Sequence, residues 1–422
     1  MSNDPKEFLL TLFNAAVKAA QPDLCLPQFL PAIPKGNIIV IGAGKASAAM
    51  AACAEKHYNS KVSGMVITRY GYNVHCHNIE IVEAGHPIPD LAGYNATSRL
   101  LRILASVTED DLVLCLLSGG GSSLLTLPVE GLSLAEKQGI NTILLHSGAA
   151  IDEINIIRKH LSQVKGGRLA ALCGRARLLT LVVSDVVDDD LSVVASGPTV
   201  PDLSTYSDAI AVIDKYDLKL PISAMKILHE GKDETPKPGN SIFDNNSAEI
   251  VTSSQNSLDA AVKVAEAAGI EPIILNDYLE GEAKDIGSRM AAVVADYKNR
   301  APCVLLSGGE LTVKVKGIGK GGPNTEFLVA LAMALNGADN IFAIACDTDG
   351  TDGSGDNAGA IITPDTLKRA LSLGLDPSDI LNKNDSYGFF RALDDLIITG
   401  PTFTNVNDFR AIMISNQDFP RI

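Results

Sequence analysis

The residues best suited to chemistry in this chain stand where apolar runs end and glycines begin. Residues 38–47 read IIVIGAGKAS, a strand running into Gly42-Ala43-Gly44-Lys45 and then a helix. Glycines at such a junction let the backbone approach a ligand closely, and the helix N-terminus that follows favours an anion. This is not a Walker A loop, because no glycine stands five residues before Gly44. Nor is it a complete dinucleotide fingerprint, because Ser47 takes the third glycine position. A site for NAD also wants an acidic residue at the end of the next strand, and that strand ends Thr68-Arg69. Arg69 would suit NADP, so the dinucleotide reading is weakened without being removed. Lys45 read plainly is an exposed lysine at a helix start. A functional role is preferred, since helix N-termini ordinarily attract acidic residues.

Residues 118–123, SGGGSS, close a fully apolar strand. Consecutive glycines cost chain entropy on folding, and they suit a loop whose N–H groups cradle phosphate. A plain tight turn is the competing account. Ser118, Gly119, Gly120, Gly121 and Ser122 are therefore phosphate-binding candidates, together with Gly44. Residues 157–170, IRKHLSQVKGGRLA, gather Arg158, Lys159, His160, Lys165 and Arg168 within an otherwise acidic protein. On a continuous helix Arg158, Ser162 and Lys165 would share a face, and Lys165-Gly166-Gly167 would then open another loop. A solvated basic helix is the bland alternative. His160 by itself reads as structural.

Acidic residues crowd two other strand ends. Residues 184–202, SDVVDDDLSVVASGPTVPD, bring together Asp185, Asp188, Asp189 and Asp190. Mutually repelling carboxylates want a cation, and Mg²⁺ typically takes one or two carboxylates plus substrate phosphates. Asp185 and Asp189 are the leading metal or base candidates, although Asp clusters also cap helices. Ser196-Gly197-Pro198-Thr199 adds a turn with hydroxyl donors at Ser196 and Thr199. The second run, residues 347–356 (DTDGTDGSGD), fails the EF-hand register, since its sixth position is Asp352 and its twelfth is Ala358. It reads as a loop at a strand end, with Asp349 and Asp352 as further metal candidates beside Glu310. Residues 307–310 (SGGE) and 317–326 (GIGKGGPNTE) supply more glycine-rich turns, and add Lys320, Asn324 and Glu326 as binding candidates.

Such residues need strands and helices to hold them. Short apolar runs at 37–41, 61–68, 111–117, 178–184, 271–275, 303–307 and 341–346 alternate with helix-like stretches at 46–57, 90–106, 257–268 and 282–298. That alternation predicts an α/β fold with largely parallel sheets, whose ligands gather at the carboxyl ends of strands. Residues 230–247, EGKDETPKPGNSIFDNNS, are rich in Pro, Gly, Asn and charge and read as a linker or long surface loop. They place a boundary near residue 240, giving domains 1–240 and 241–422. The runs VLCLLSGGGS and CVLLSGGE echo each other, either as a duplicated unit or as one solution found twice.

Bulk properties narrow the field. A chain of 422 residues exceeds the ~250–300 at which single cores stop growing, which fits two domains. A net charge of −15 argues against nucleic acid, whose phosphates demand surplus Lys and Arg. No uncharged apolar run reaches the ~18 residues of a membrane span, and residues 1–20 lack a signal-peptide pattern. Seven cysteines without a CxxC pair exclude a zinc ribbon and fit a reducing, cytoplasmic setting. Two glycine-rich anion loops, a basic cluster and two acidic strand ends together match phosphoryl transfer, where catalysis is mostly positioning, cations and Mg²⁺.

Taken in order, GAGKAS, SGGGSS, IRKHLSQVKGGRLA, SDVVDDDLSVVASGPTVPD, LSGGE, GKGGPNTEF, DTDGTDG and TGPTFTNVND resemble the class-II glycerate 2-kinases, whose C-terminal part is called the MOFRL domain. The resemblance spans residues 7 to 416, with the MOFRL region at about 302–416. It implies two Rossmann-like three-layer α/β/α domains with an interdomain cleft, and transfer of the ATP γ-phosphoryl group to the 2-hydroxyl of D-glycerate. The family's active-site lysine falls on Lys45, its serine–glycine loop on residues 118–122, and its Asp-rich segment on residues 185–190. Many relatives carry Gly-Gly-Arg-Asn-Gln-Glu where this chain has Gly322-Pro323-Asn324-Thr325-Glu326, so the arginine position is Pro323. Lys320 or Arg168 is the expected substitute. On this reading Lys45 and Arg158 neutralise substrate carboxylate or phosphoryl charge, and Asp189 accepts the hydroxyl proton.

The partners implied are D-glycerate and ATP, with no nucleic acid and no membrane, in a monomer or homodimer. One rival is an NAD(P)H-dependent hydroxypyruvate reductase, a label members of this family have carried. Another is a non-catalytic sugar-acid or nucleotide binder, which would have little need of Mg²⁺ ligands.

Overall fold

The apolar runs of the first half become strands. The computed structural model describes residues 4–416. β1 (Ile38–Ala43), β2 (Val62–Arg69), β3 (Ile79–Ala84), β4 (Leu112–Ser118), β5 (Arg177–Val183) and β6 (Asn246–Thr252) form one sheet in the order β3-β2-β1-β4-β5-β6. The pairings from β3 through β5 are all parallel. Every residue of β4 is buried. A parallel strand covered on both faces must be apolar throughout, which is why LVLCLLS does not alternate. The chain runs outward from β1 through β2 to β3, then crosses back to β4 and β5 on the other side. The order therefore reverses between β1 and β4, and the carboxyl ends of these two strands make a switch point.

Four helices cover part of this unit through one apolar cluster. Leu134–Leu145, Ile151–His160, Tyr206–Lys215 and Ile222–Glu230 meet at Ile140, Leu144, Ile154, Ile157, Ile213 and Leu228. Ser133 and Glu136 close a reciprocal capping box on the first of them, satisfying N–H groups that a helix start leaves open.

The second sheet contains β7 (Glu271–Asn276), β9 (Cys303–Ser307), β11 (Ile341–Asp347), β12 (Gly359–Ile362), β13 (Leu396–Ile397) and β14 (Asp408–Ile414), in the order β13-β12-β11-β14-β9-β7. Two-residue β8 (Gly281–Glu282) and β10 (Leu311–Thr312) pair separately. Here the expectation of a largely parallel sheet is corrected: only β7 and β9 run parallel, and the other pairings are antiparallel. The reason is β14. It returns from the end of the described chain and inserts between β9 and β11, converting a parallel neighbourhood into two antiparallel ladders.

Two compact units result. One is Cys25–Val251, and the other joins the chain up to Leu24 with the chain from Thr252 onward. The first helix, Pro5–Ala19, belongs to the second unit because Phe8, Leu9, Leu12 and Phe13 pack with Val304, Leu306, Ile344 and Phe409. Lys6 reinforces this with an ion pair to buried Asp395 at 2.7 Å. Residues 230–247 are no loose linker. Glu234 meets His160 at 2.8 Å and buried Thr235 donates to Asp202 at 3.0 Å, both inside the first unit.

Candidate active site

The switch point brings the two glycine junctions together. The Lys45 N–H donates to the Gly119 carbonyl at 2.9 Å, and the Ala46 N–H donates to the Ser118 hydroxyl, also at 2.9 Å. A Cβ on Gly44 would stand 2.1 Å from the Ser118 Oγ, so only glycine lets the two loops close on each other. Gly120 takes a left-handed backbone, φ +81°, and a Cβ there would meet the His86 ring at 2.8 Å and the Lys45 side chain at 3.6 Å. Lys45 and His86 thus flank one loop. Ser118 and Gly119, expected to bind phosphate, hold the Lys45 turn through the Ser118 hydroxyl and the Gly119 carbonyl, and Ser118 is fully buried.

A cavity opens beside this loop, walled by His86, Gly120, Ser122, Ser123, Asn141 and Arg158. Burial lowers the pKa of the Arg158 guanidinium. One turn before Asn141 lies Lys137, 2% exposed, whose Nζ has no hydrogen-bond partner. Burial, aided by the Arg158 charge, pushes the Lys137 ammonium from its ordinary 10.5 down to about 7. Its charged neighbour is thus another cation rather than a carboxylate. An unpaired buried charge is expensive, which is why burial drives this lysine toward its neutral form. Neither Lys137 nor His86 was expected from the sequence. For Lys137 a signal existed: Lys137, Ile140, Asn141 and Leu144 are the buried face of their helix, and two polar residues on an apolar stripe demand a reason.

The basic segment separates into different tasks. Its helix stops at His160, so Ser162 and Lys165 do not continue the Arg158 face as expected. Only Arg158 reaches the cavity wall. Lys159 pairs with Asp202 at 3.2 Å, His160 is buried between the Ile156 carbonyl and Glu234, and Arg168 donates to the Asp233 carbonyl. Lys165 is 1% exposed and donates to the carbonyls of Ser122 at 2.7 Å and Leu125 at 3.0 Å. It fastens the SGGGSS turn from behind rather than presenting a charge to ligand. Burial, with Lys137 and Arg158 nearby, depresses its pKa strongly. Lys165→Met should leave two buried carbonyls unsatisfied and destabilise the protein by roughly 2 kcal/mol, read as a lower urea midpoint. An unchanged midpoint would remove that role.

The hydroxyl candidates are also structurally engaged. Buried Ser196 donates to Asn155 Oδ1 at 3.0 Å, so Ser122 donates to Ser196 at 2.7 Å. Thr199 is buried and accepts from Thr180 at 2.9 Å, which removes it from a ligand surface. Ala195 and Ser196 both hold positive φ, a strained pair that persists where the surroundings fix it. Gly121 packs against Ala195 so closely that a Cβ would stand 2.7 Å away.

Asp185 and Asp189 follow β5, with Asp188 and Asp189 in left-handed conformation. In the other unit, Asp352 caps the helix Pro323–Leu335, accepting from the Asn324 and Thr325 N–H groups at 2.9 Å each. This carboxylate, expected as a metal ligand, is occupied by a helix start, and burial raises it to about 6. Asn324 is likewise buried and donates to Asp408 at 2.5 Å, while buried Glu326 accepts from Asn384 at 3.1 Å. Pro323 opens this helix, a position where its missing N–H costs nothing. The Lys320 Nζ lies 4.0 Å from the Tyr387 ring centre. Glu310 and Asp349 belong to the same unit as Asp352. Among the described residues, no group of three or more His, Cys, Asp or Glu is arranged to hold a metal ion.

A parallel sheet whose glycine loops meet at a switch point, with an Arg158-lined cavity beside them, defines a doubly wound α/β protein. More particularly, the chain belongs to the class-II glycerate 2-kinase family. Residues 8–229 match the domain of unknown function DUF4147 and residues 303–408 match the MOFRL family. The D-glycerate 2-kinase of Thermotoga maritima is 40% identical over 410 residues, covering 96% of this chain and 97% of that protein. A crystal structure of glycerate kinase from the same organism superposes with a TM-score of 0.86 at 39% identity, covering 97% of this chain and 99% of that one. A protein of Agrobacterium vitis named putative hydroxypyruvate reductase is 47% identical over 417 residues, covering 97% and 94%. Among the described residues no helix is long and apolar enough to cross a membrane.

Proposed function

We propose that this protein transfers the γ-phosphoryl group of ATP to the 2-hydroxyl of D-glycerate, giving 2-phosphoglycerate and ADP in the cytoplasm. The observation that carries the reading is the Arg158 guanidinium in a cavity walled by His86, Gly120 and Ser122, with the buried, unpartnered Lys137 one helical turn before cavity-lining Asn141. Lys137 and Arg158 take the substrate carboxylate. Lys45 faces the charge on the transferring group, held at its turn by the Gly119 carbonyl. Asp189 accepts the hydroxyl proton as the new P–O bond forms and the bond to ADP breaks. Mg²⁺ bound with ATP would neutralise phosphate charge. One or two carboxylates plus phosphate oxygens suffice for it, and Asp185 would supply one.

The reductase reading has less support. β2 ends in Thr68-Arg69 without the carboxylate that a ribose needs, and the Arg69 guanidinium lies over the Tyr72 ring at 5.5 Å. Thermal shift separates the alternatives, since a bound ligand raises the melting temperature by mass action. D-Glycerate and ATP with Mg²⁺ should each raise it, and NADPH should not. A response to NADPH alone would favour the reductase.

A further inference from the structure

Two buried polar atoms on one face of the helix Leu134–Leu145 have no hydrogen-bond partner: Lys137 Nζ and Asn141 Oδ1. They belong to residues one turn apart, and they are not bonded to each other. Asn141 is only 8% exposed, and an orphaned acceptor at that depth is costly until something donates to it. The neighbouring hydroxyls cannot, because Ser122 donates to Ser196 and Ser123 to the Gly120 carbonyl at 3.1 Å. Since Asn141 lines the cavity with Arg158, the missing donor belongs to whatever enters it.

Resting on the kinase reading above, we propose that Asn141 is the specificity residue for the acceptor, its Oδ1 taking a hydrogen bond from the hydroxyl that is not phosphorylated. The carboxylate then lies against Lys137 and Arg158, one helical turn away. Neighbours at that spacing stand about 5–6 Å apart, a gap that a three-carbon acid spans. A 2-hydroxy acid ending in a methyl group would fill the same space and leave the carbonyl orphaned. Sites built to pair a substrate hydroxyl reject analogues lacking it far better than apolar pockets reject a methylene.

The test compares D-glycerate with D-lactate, by calorimetric binding and by turnover with ATP and Mg²⁺. Wild type should prefer D-glycerate, and Asn141→Leu should shrink that preference roughly 10- to 100-fold. Asn141→Asp keeps an acceptor oxygen and should keep the preference, even where affinity for both acids drops. A preference intact in Asn141→Leu, or lost equally in both variants, overturns the proposal. D-Glycerate binding that depends on Asn141 without phosphoryl transfer would uphold it while removing the kinase reading. No binding of either acid to wild type would remove both.

Discussion

Lys45→Ala should lower kcat with D-glycerate roughly 100- to 1000-fold, the size of loss seen when one group stabilising transition-state charge is removed. The fold should survive. The Lys45 turn is held by backbone, through its own N–H on Gly119 and through Ala46 on the Ser118 hydroxyl, and alanine leaves both bonds in place. Steady-state kinetics and a thermal melt on the same preparation check the two halves of this statement. Turnover near the wild-type rate would contradict the role given to Lys45. Loss of activity together with collapse of the melt would mean that the side chain is structural.

The second large effect belongs to Lys137. With its pKa near 7 in the folded protein, the ammonium proposed to hold the substrate carboxylate is lost as pH rises through neutrality. The pH dependence of kcat/KM reports groups of the free enzyme, so kcat/KM for D-glycerate should fall above pH about 7. Lys137→Met should raise KM by one to two orders of magnitude and abolish this alkaline limb. Stability should move the other way. Between about 7 and the ordinary 10.5 the unfolded chain binds more protons than the folded one, so this lysine's contribution to stability rises with pH across that window. It is least favourable below 7, where a charge must stay buried. Wild type should therefore gain on Lys137→Met in urea melts as pH increases. An alkaline limb unchanged in the variant would assign it to another group.

What could be read from the chain alone follows from the range of the forces involved. Strands β1, β2, β4 and β5 were legible as continuous apolar runs, as in LVLCLLSGGG, whereas β3, whose IEIVEA is broken by two glutamates, was not. Their parallel pairing followed from the helices between them. The two glycine junctions were legible for the same reason, because GAGKAS and SGGGSS declare themselves locally, but their meeting at a switch point needed the strand order. β14 was not, since nothing in DFRAIMI says that it slots between β9 and β11. The basic segment misled because five cations adjacent in sequence diverge in space once the helix ends at His160. Lys165 turns to carbonyls behind the loop, and Arg168 turns to residue 233. Lys137 and Asn141 left a signal, two polar residues on the apolar stripe of one helix, but what they face is set by a contact across more than one element. The helix cap made by Asp352 was equally hidden, since an acidic run does not say which of its carboxylates will meet a distant helix start.

The most direct test is the product itself: D-glycerate, ATP and Mg²⁺ incubated with the purified protein and followed by phosphorus NMR, with an NADPH–hydroxypyruvate assay alongside. The account predicts 2-phosphoglycerate and ADP, formed together and lost in Lys45→Ala. Oxidation of NADPH with no phosphoryl transfer would contradict it and return the Gly42 turn to a dinucleotide.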